Sequence, residues 1–336
     1  MSSAIKQIFP LDFQWPTLDP FLFCAHHKDE YPAGNPQMGP DASLKGRNIG
    51  QDFTLKDGWR MYHGEQVAGF PAHPHRGFET ITVVTEGLVD HSDSMGAAGR
   101  YGGGDTQWMT AGKGVQHSEM FPCVHADKSN PLELFQIWLN LPARSKMCEP
   151  HFKMLWREEI PKVEHTDAQG RLVTIDIIAG HCDGVSAVAP PPESWAYDNA
   201  NRIAVWTIKM APGAEWVLPA DEVGLNRILY FYQGMKMSVA GQDIDAEHGI
   251  HLASDHPVTL KNGDDEARLV LLQGKPIAEP VVQYGPFVMN TEAEIRQTFH
   301  EYQQTQFGGW PWPDHEHTHG HQGRFAKHAD GQIEER

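Results

Sequence analysis

Ala72-His73-Pro74-His75-Arg76-Gly77-Phe78-Glu79-Thr80 is the stretch on which the fold turns. It puts two histidines at i and i+2 and runs into Thr80-Ile81-Thr82-Val83-Val84-Thr85, a β-branched run that stops at Glu86-Gly87. On extended backbone, side chains two apart point to the same face. The stretch therefore predicts an extended segment that sends both imidazoles to one side, followed by a strand with a glycine turn at its end.

Farther along, Ala111-Gly112-Lys113-Gly114-Val115-Gln116-His117-Ser118-Glu119 repeats the spacing with an imidazole and a carboxylate. His117 and Glu119 again share a face, and an antiparallel barrel can set the two pairs opposite each other. Three imidazoles and one carboxylate suit a divalent first-row metal, and Fe(II) with open coordination positions fits this mixed nitrogen and oxygen set. Ligand type alone leaves Mn, Co, Ni, Cu and Zn open. In a chain with 20 histidines, one His-x-His pair is easily incidental. Two same-face pairs, each in a glycine-bearing context, are not.

The rest of the chain reads as an all-β protein. Its 32 Gly and 24 Pro punctuate short apolar runs. Further strands are expected at Leu134–Leu139, Leu172–Ala179, Ile203–Ile208, Ile228–Tyr232 and Arg268–Gln273. A coarse repeat links Thr85 to Asp90 (TEGLVD) with Tyr232 to Met237 (YQGMKM), which favours two copies of one β unit. The join is expected between Leu141 and Pro161, giving lobes at 1–150 and 151–306. Gly102-Gly103-Gly104 lacks a following Lys-Ser/Thr and a helix, so it reads as a tight turn rather than a phosphate loop. One helix is expected, opening at Asn290-Thr291-Glu292-Ala293-Glu294, carrying Ile295, Phe299 and Tyr302 at helical spacing, and ending near Gln306. The remainder, 307–336, is polar and rich in Pro, His and Gly. It reads as a flexible tail whose His315, His317, His319 and His321 bind metal weakly at most.

Composition bounds the function. Against 44 Asp and Glu stand 27 Lys and Arg, a formal net charge of −17. Such a chain is repelled by phosphate backbones, which argues against direct nucleic-acid binding. Cys24, Cys123, Cys148 and Cys182 form no C-x-x-C pair and read as reduced thiols. Pro10 and Pro16 interrupt the N-terminal stretch, and no apolar region follows Lys6, so no signal peptide is expected there. No run approaches a membrane span. The expectation is a soluble cytoplasmic protein. Around Trp216 to Asp221 there is no H-x-H pair, and His248, His251 and His256 fall at spacings that share no strand face. The second lobe is expected to be metal-free.

The two motifs together resemble the cupin double motif, and their longer context resembles the pirin family. The strings that carry the resemblance are His73 to Thr80, Gly104 to Gly114, His117-Ser118-Glu119-Met120, Gln136 to Pro142, Lys146-Met147 and Gly285 to Thr291. They are ungapped and span about residues 15 to 308. The resemblance implies two cupin barrels packed face to face, with a metal, usually iron, in the N-terminal barrel only. By matching position it implies His73, His75, His117 and Glu119 as the ligands. Many cupins take a glutamate from the first motif instead; here Glu79 stands as a near-site residue. Trp108, Gln107 and Arg76 are expected to pack or hydrogen-bond beside the site.

Pirin-like proteins of bacteria resemble quercetin 2,3-dioxygenases, which open the flavonol heterocycle and release carbon monoxide. The resemblance therefore implies a small aromatic or enediol substrate and O2, with Glu119 or Glu79 taking the substrate proton. A bound cation lowers the pKa of a catechol or enol group it holds, which favours this chemistry. The alternative is an iron-dependent regulator that binds a transcription factor or metabolic enzyme without catalysis. A third reading is a storage or ligand-binding cupin.

Overall fold

The computed structural model describes residues 4–336; the first three residues of the N-terminal stretch discussed above lie outside them. Among the described residues, regular structure is β-strand apart from one helix near the end and three short 3-10 turns. Every strand expected from sequence forms, as Phe78–Glu86, Asn130–Asn140, Leu172–Ala179, Ala204–Met210, Asn226–Gln233 and Ala267–Gly274, with Ile203 just outside its strand. The two repeat segments each turn on a glycine with positive φ, Gly87 at 79° and Gly234 at 132°. Gly103 and Gly104 form the expected turn between Ala98–Gly102 and Thr106–Thr110, with φ of 58° and 108°. No helix among the described residues is long and apolar enough to cross a membrane.

Two compact units result, and neither is a simple half of the chain. The histidine unit comprises His26–Ile137, Leu141–Arg157 and Glu279–Arg336. The second unit comprises the chain up to Ala25, Trp138–Asn140 and Glu158–Ala278. The chain passes from the histidine unit to the second unit at Arg157, and back at Glu279. The division of the termini differs from the expected 1–150 and 151–306, and sheet pairing is the reason. Ile5–Pro10 pairs antiparallel with His248–Leu252 and so belongs to the second unit. The terminal helix and everything after it belong to the histidine unit.

The second unit has a seven-stranded sheet, ordered Ile5–Pro10, His248–Leu252, Asn226–Gln233, Ala267–Gly274, Ala204–Met210, Leu172–Ala179, Lys162–Thr166. A four-stranded sheet holds Glu215–Leu218, Val258–Asn262, Lys236–Val239 and Gln242–Asp245. Residues of both, among them Ile175, Trp206, Leu229, Trp216 and Leu260, form one buried apolar cluster.

In the histidine unit, one sheet is ordered Ile333–Glu335, Phe325–Lys327, Ala98–Gly102, Leu88–Asp93, Val115–Phe121, Ala68–His75. Another sheet holds His151–Leu155, Thr106–Thr110, Phe78–Glu86 and Asn130–Asn140 in that order. The helix is Glu292–Thr305, one residue short of expectation. Thr291 caps it: its hydroxyl accepts from Glu294 N at 3.2 Å, and the Glu294 carboxylate accepts from Asn290 N at 3.1 Å. Ile295, Phe299 and Tyr302 pack on Phe287 and Met289, as their spacing predicts.

The flexible tail expected at 307–336 is not what forms. Phe325–Lys327 extends the first sheet by pairing with Ala98–Gly102, and Ile333–Glu335 pairs outside it. The buried Arg100 forms a bidentate pair with Asp90 and gives the N–H groups of Nη1 to the carbonyls of Gly320 and Gln322, both at 2.7 Å. The Trp312 indole N–H reaches Asp93 O at 2.8 Å, and the Trp156 indole reaches the Glu334 carboxylate at 2.7 Å. A polar, histidine-rich composition signals disorder when no core is available. Here the segment is held by hydrogen bonds to an exposed sheet edge, which composition does not report.

Candidate metal centre

The site lies where three adjacent strands of one sheet present their inward faces. In the pairing of Ala68–His75 with Val115–Phe121, His73 stands directly opposite His117, and Phe70 opposite Glu119. Three residues advance on one strand for two on the other, a bulge between Phe70 and His73. The bulge carries Pro71, which lacks an amide donor and is tolerated there. It also shifts the alternation, so that His73 and His75 face the same side as His117. Gly77, just after the pair, has φ of 87°, and a Cβ there would sit 1.9 Å from Val288 O, so the turn admits only glycine.

One nitrogen each of His73, His75 and His117 lies within 4.8 Å of the others. Nε2 of His73 and Nε2 of His75 are 3.1 Å apart. His73 Nδ1 is 2.9 Å from the Pro71 carbonyl, which can only accept, so Nδ1 carries the proton and Nε2 presents its lone pair. Both ring nitrogens of His117 are buried and make no hydrogen bond. Burial, reinforced by neighbouring imidazoles, drives His75 and His117 well below the usual histidine range. Burial likewise pushes His73 down to about 4. Three neutral imidazoles converging on one point, with a buried nitrogen left unpaired, are a donor set that fits a divalent cation.

Glu119 completes the inner face. Its Oε2 is 3.9 Å from His117 Nε2. Thr82 Oγ1 donates to Oε1 at 2.8 Å and Gln136 Nε2 to Oε2 at 2.6 Å. These donors fix the carboxylate and leave each oxygen a further lone pair. Burial holds its carboxyl above the ordinary range, opposed by the Thr82 and Gln136 hydrogen bonds.

Sequence reading missed the third strand of the site. On Leu88–Asp93, His91 is paired with Glu119 and Asp93 with His117. The His91 ring stands 5.5 Å from that of His117. Gln107 Nε2 meets His91 Nδ1 at 2.9 Å, and His91 Nε2 meets Asp93 Oδ2 at 3.1 Å. Both nitrogens are therefore engaged, and His91 buttresses the triad rather than joining it. The signal was present: His91-x-Asp93 has the same i, i+2 spacing as the two pairs that were recognised.

The expectation for Glu79 is corrected. Thr82 touches Glu119, so Thr80 and Thr82 face the site, while Glu79 lies on the opposite face of its strand. Its carboxylate accepts from Thr110 Oγ1 at 2.7 Å, away from the histidines. Alternation likewise turns Gln107 inward and its neighbour Trp108 outward. Arg76 also points away: it donates to Lys113 O at 2.7 Å and to the Glu301 carboxylate at 2.6 Å, tying the helix to the histidine motif.

His73 opens onto a pocket of about 930 Å³, lined also by His63, Pro71 and Ala72 and, from the tail, by His315, Glu316 and His317. The tail is pinned at this mouth. The Glu316 carboxylate accepts from the amides of Glu65, Gln66 and Val67 at 2.6, 3.0 and 3.2 Å, and Ala72 N donates to His315 O at 3.0 Å.

Two β units with three converging histidines in one of them define a bicupin protein. Comparison with known proteins agrees: the Pirin family profile matches residues 12–139, and the pirin C-terminal cupin domain matches 205–308. The chain is 38% identical over 273 residues to a pirin-like protein of Solanum lycopersicum, covering 78% of this chain and 86% of that one. It is 35% identical over 252 residues to human pirin, covering 74% and 80%. A Pseudomonas aeruginosa protein named "putative quercetin 2,3-dioxygenase" is 35% identical over 247 residues, covering 71% and 80%. The crystal structure of an Acinetobacter baumannii quercetin 2,3-dioxygenase shares the fold, with a TM-score of 0.70 at 24% identity, covering 91% of this chain and 98% of that one. The chain belongs to the pirin family.

Proposed function

We propose that this pirin is a metal-dependent oxygenase of the quercetin 2,3-dioxygenase type, with Fe(II) held by His73, His75, His117 and Glu119. The observation that carries the reading is the neutral three-histidine cluster beside a buried carboxylate, with His73 opening onto a pocket. The ion would supply a Lewis-acidic, redox-active centre for a flavonol or enediol substrate and O2. The chain's own residues do the rest. Pro71 fixes the tautomer of His73, and Thr82 and Gln136 fix the orientation of Glu119. Glu119, oriented by Thr82 and Gln136 beside the histidines, is placed to take the substrate hydroxyl proton. Glu79, on the other face of its strand, has no part in this scheme.

The test is oxygen consumption by iron-loaded protein with quercetin and with simpler enediols. Turnover is expected, with its loss in His75→Ala accompanied by loss of one equivalent of metal. Full metal occupancy with no oxygen uptake on any of these substrates would overturn the oxygenase reading. Redox-dependent retention of a protein partner under those conditions would favour the regulatory alternative.

A further inference from the structure

The second unit has no His-x-His pair, yet it assembles a different set of metal-capable side chains. His165 lies on Lys162–Thr166, Cys182 closes the short strand His181–Cys182, and Asp183 opens the turn into Val185–Ser186. One donor atom from each lies within 4.8 Å of the other two. The turn explains how. Cys182 pairs with Val185 across a two-residue hairpin whose Asp183 and Gly184 have φ of 46° and 80°. That geometry places a thiol and a carboxylate on consecutive residues beside the imidazole.

His165 and Asp183 stand at ion-pair distance without hydrogen-bond geometry. His165 Nε2 and Asp183 Oδ2 are 2.8 Å apart, yet the nitrogen is buried and makes no hydrogen bond. It is close to an acceptor but not aligned to donate to it. The three-histidine site has the same feature in His117, whose two ring nitrogens are buried and make no hydrogen bond. Cys182 is buried, while the His165 and Asp183 side chains are 30% and 47% exposed, so the cluster is open to solvent on one side.

We propose that His165, Cys182 and Asp183 form a second metal site, specific for a zinc-class ion, with water as the fourth ligand. Sulfur, nitrogen and oxygen donors around tetrahedral zinc stand roughly 3–4 Å from one another, which the cluster reaches by small side-chain adjustments. The thiolate selects zinc, cobalt(II) or copper over magnesium, calcium and manganese. Binding replaces the thiol proton with the ion and releases that proton to solvent. The ion would clip the strand Lys162–Thr166 to the hairpin 181–186. The all-nitrogen-and-oxygen set of the histidine unit and this sulfur-bearing set would then sort two different metals within one chain.

Cobalt(II) titration of the full-length protein tests this directly, because no cysteine belongs to the three-histidine site. Wild type is expected to develop a near-ultraviolet thiolate-to-cobalt charge-transfer band at one equivalent, and Cys182→Ser to lose it. The band should persist in a His75→Ala, His117→Ala double variant, so the outcome is independent of the oxygenase reading. His165→Asn, which leaves the thiol in place, is expected to weaken cobalt binding at the band more than about tenfold. Absence of the band in wild type at saturating cobalt would overturn the proposal, as would its survival in Cys182→Ser.

Discussion

At the scale of single residues, the centre depends on groups that orient the ligands as much as on the ligands. Thr82 and Gln136 each give one hydrogen bond to Glu119, and Pro71 O takes the proton-bearing nitrogen of His73. Losing such an orienting group typically weakens metal binding by about 10–100-fold. Thr82→Val keeps the shape of the side chain and removes the hydroxyl that meets both Glu119 and Gln136. It is expected to lower metal affinity within that range, read by chelator competition, while leaving the fold intact by circular dichroism. Unchanged affinity would mean that Gln136 alone positions the carboxylate. The four residues proposed as ligands were legible in sequence from two same-face pairs. The buttress of His91, Asp93 and Gln107 was not, because an isolated His-x-Asp looks like any polar pair on a strand until its register against His117 is known.

At the scale of elements, the terminal segment behaves as a strap across the pocket mouth. Glu316 gathers three consecutive amides, Glu65 to Val67, onto one carboxylate. Charge-assisted hydrogen bonds of this kind are about twice as strong as neutral ones, and partly exposed amides that lose them are open to exchange. Glu316→Ala is expected to raise hydrogen exchange selectively at residues 65–67 and 72, with little change at the strands carrying His117. Uniformly unchanged protection would show that the strand pairing of Phe325–Lys327 holds the strap without the latch. The helix was readable from its cap and its 3.6-residue spacing, since both signals are local. That it packs with the histidine unit was not, because Arg76 reaches it from a distant part of the sequence through Glu301 and Thr298.

At the scale of the whole molecule, buried thiols set an alkaline limit. Burial pushes Cys123 and Cys182 up to about 12 and Cys24 still higher. Above pH 9 the unfolded chain releases these protons while the folded protein keeps them. The unfolded state then binds fewer protons, and stability falls as pH rises toward 12. Lys146 opposes this: burial lowers it to about 8, so its contribution to stability rises with pH between about 8 and 10.5. With three thiols against one ammonium, the urea midpoint is expected to fall above pH 9, and less steeply in Cys123→Ala; a flat profile in wild type would refute the assignment. The strands, the glycine turns between them, the helix and the pairing of histidines by face were fixed by the order of residues, because each follows from alternation or capping over a few positions. Which terminus completes which sheet, the bulge that turns His73 and His75 toward His117, the ordering of the tail and the outward face of Glu79 came only from tertiary structure. They depend on register between strands far apart in the chain, and a shift of one residue there exchanges the two faces of a strand.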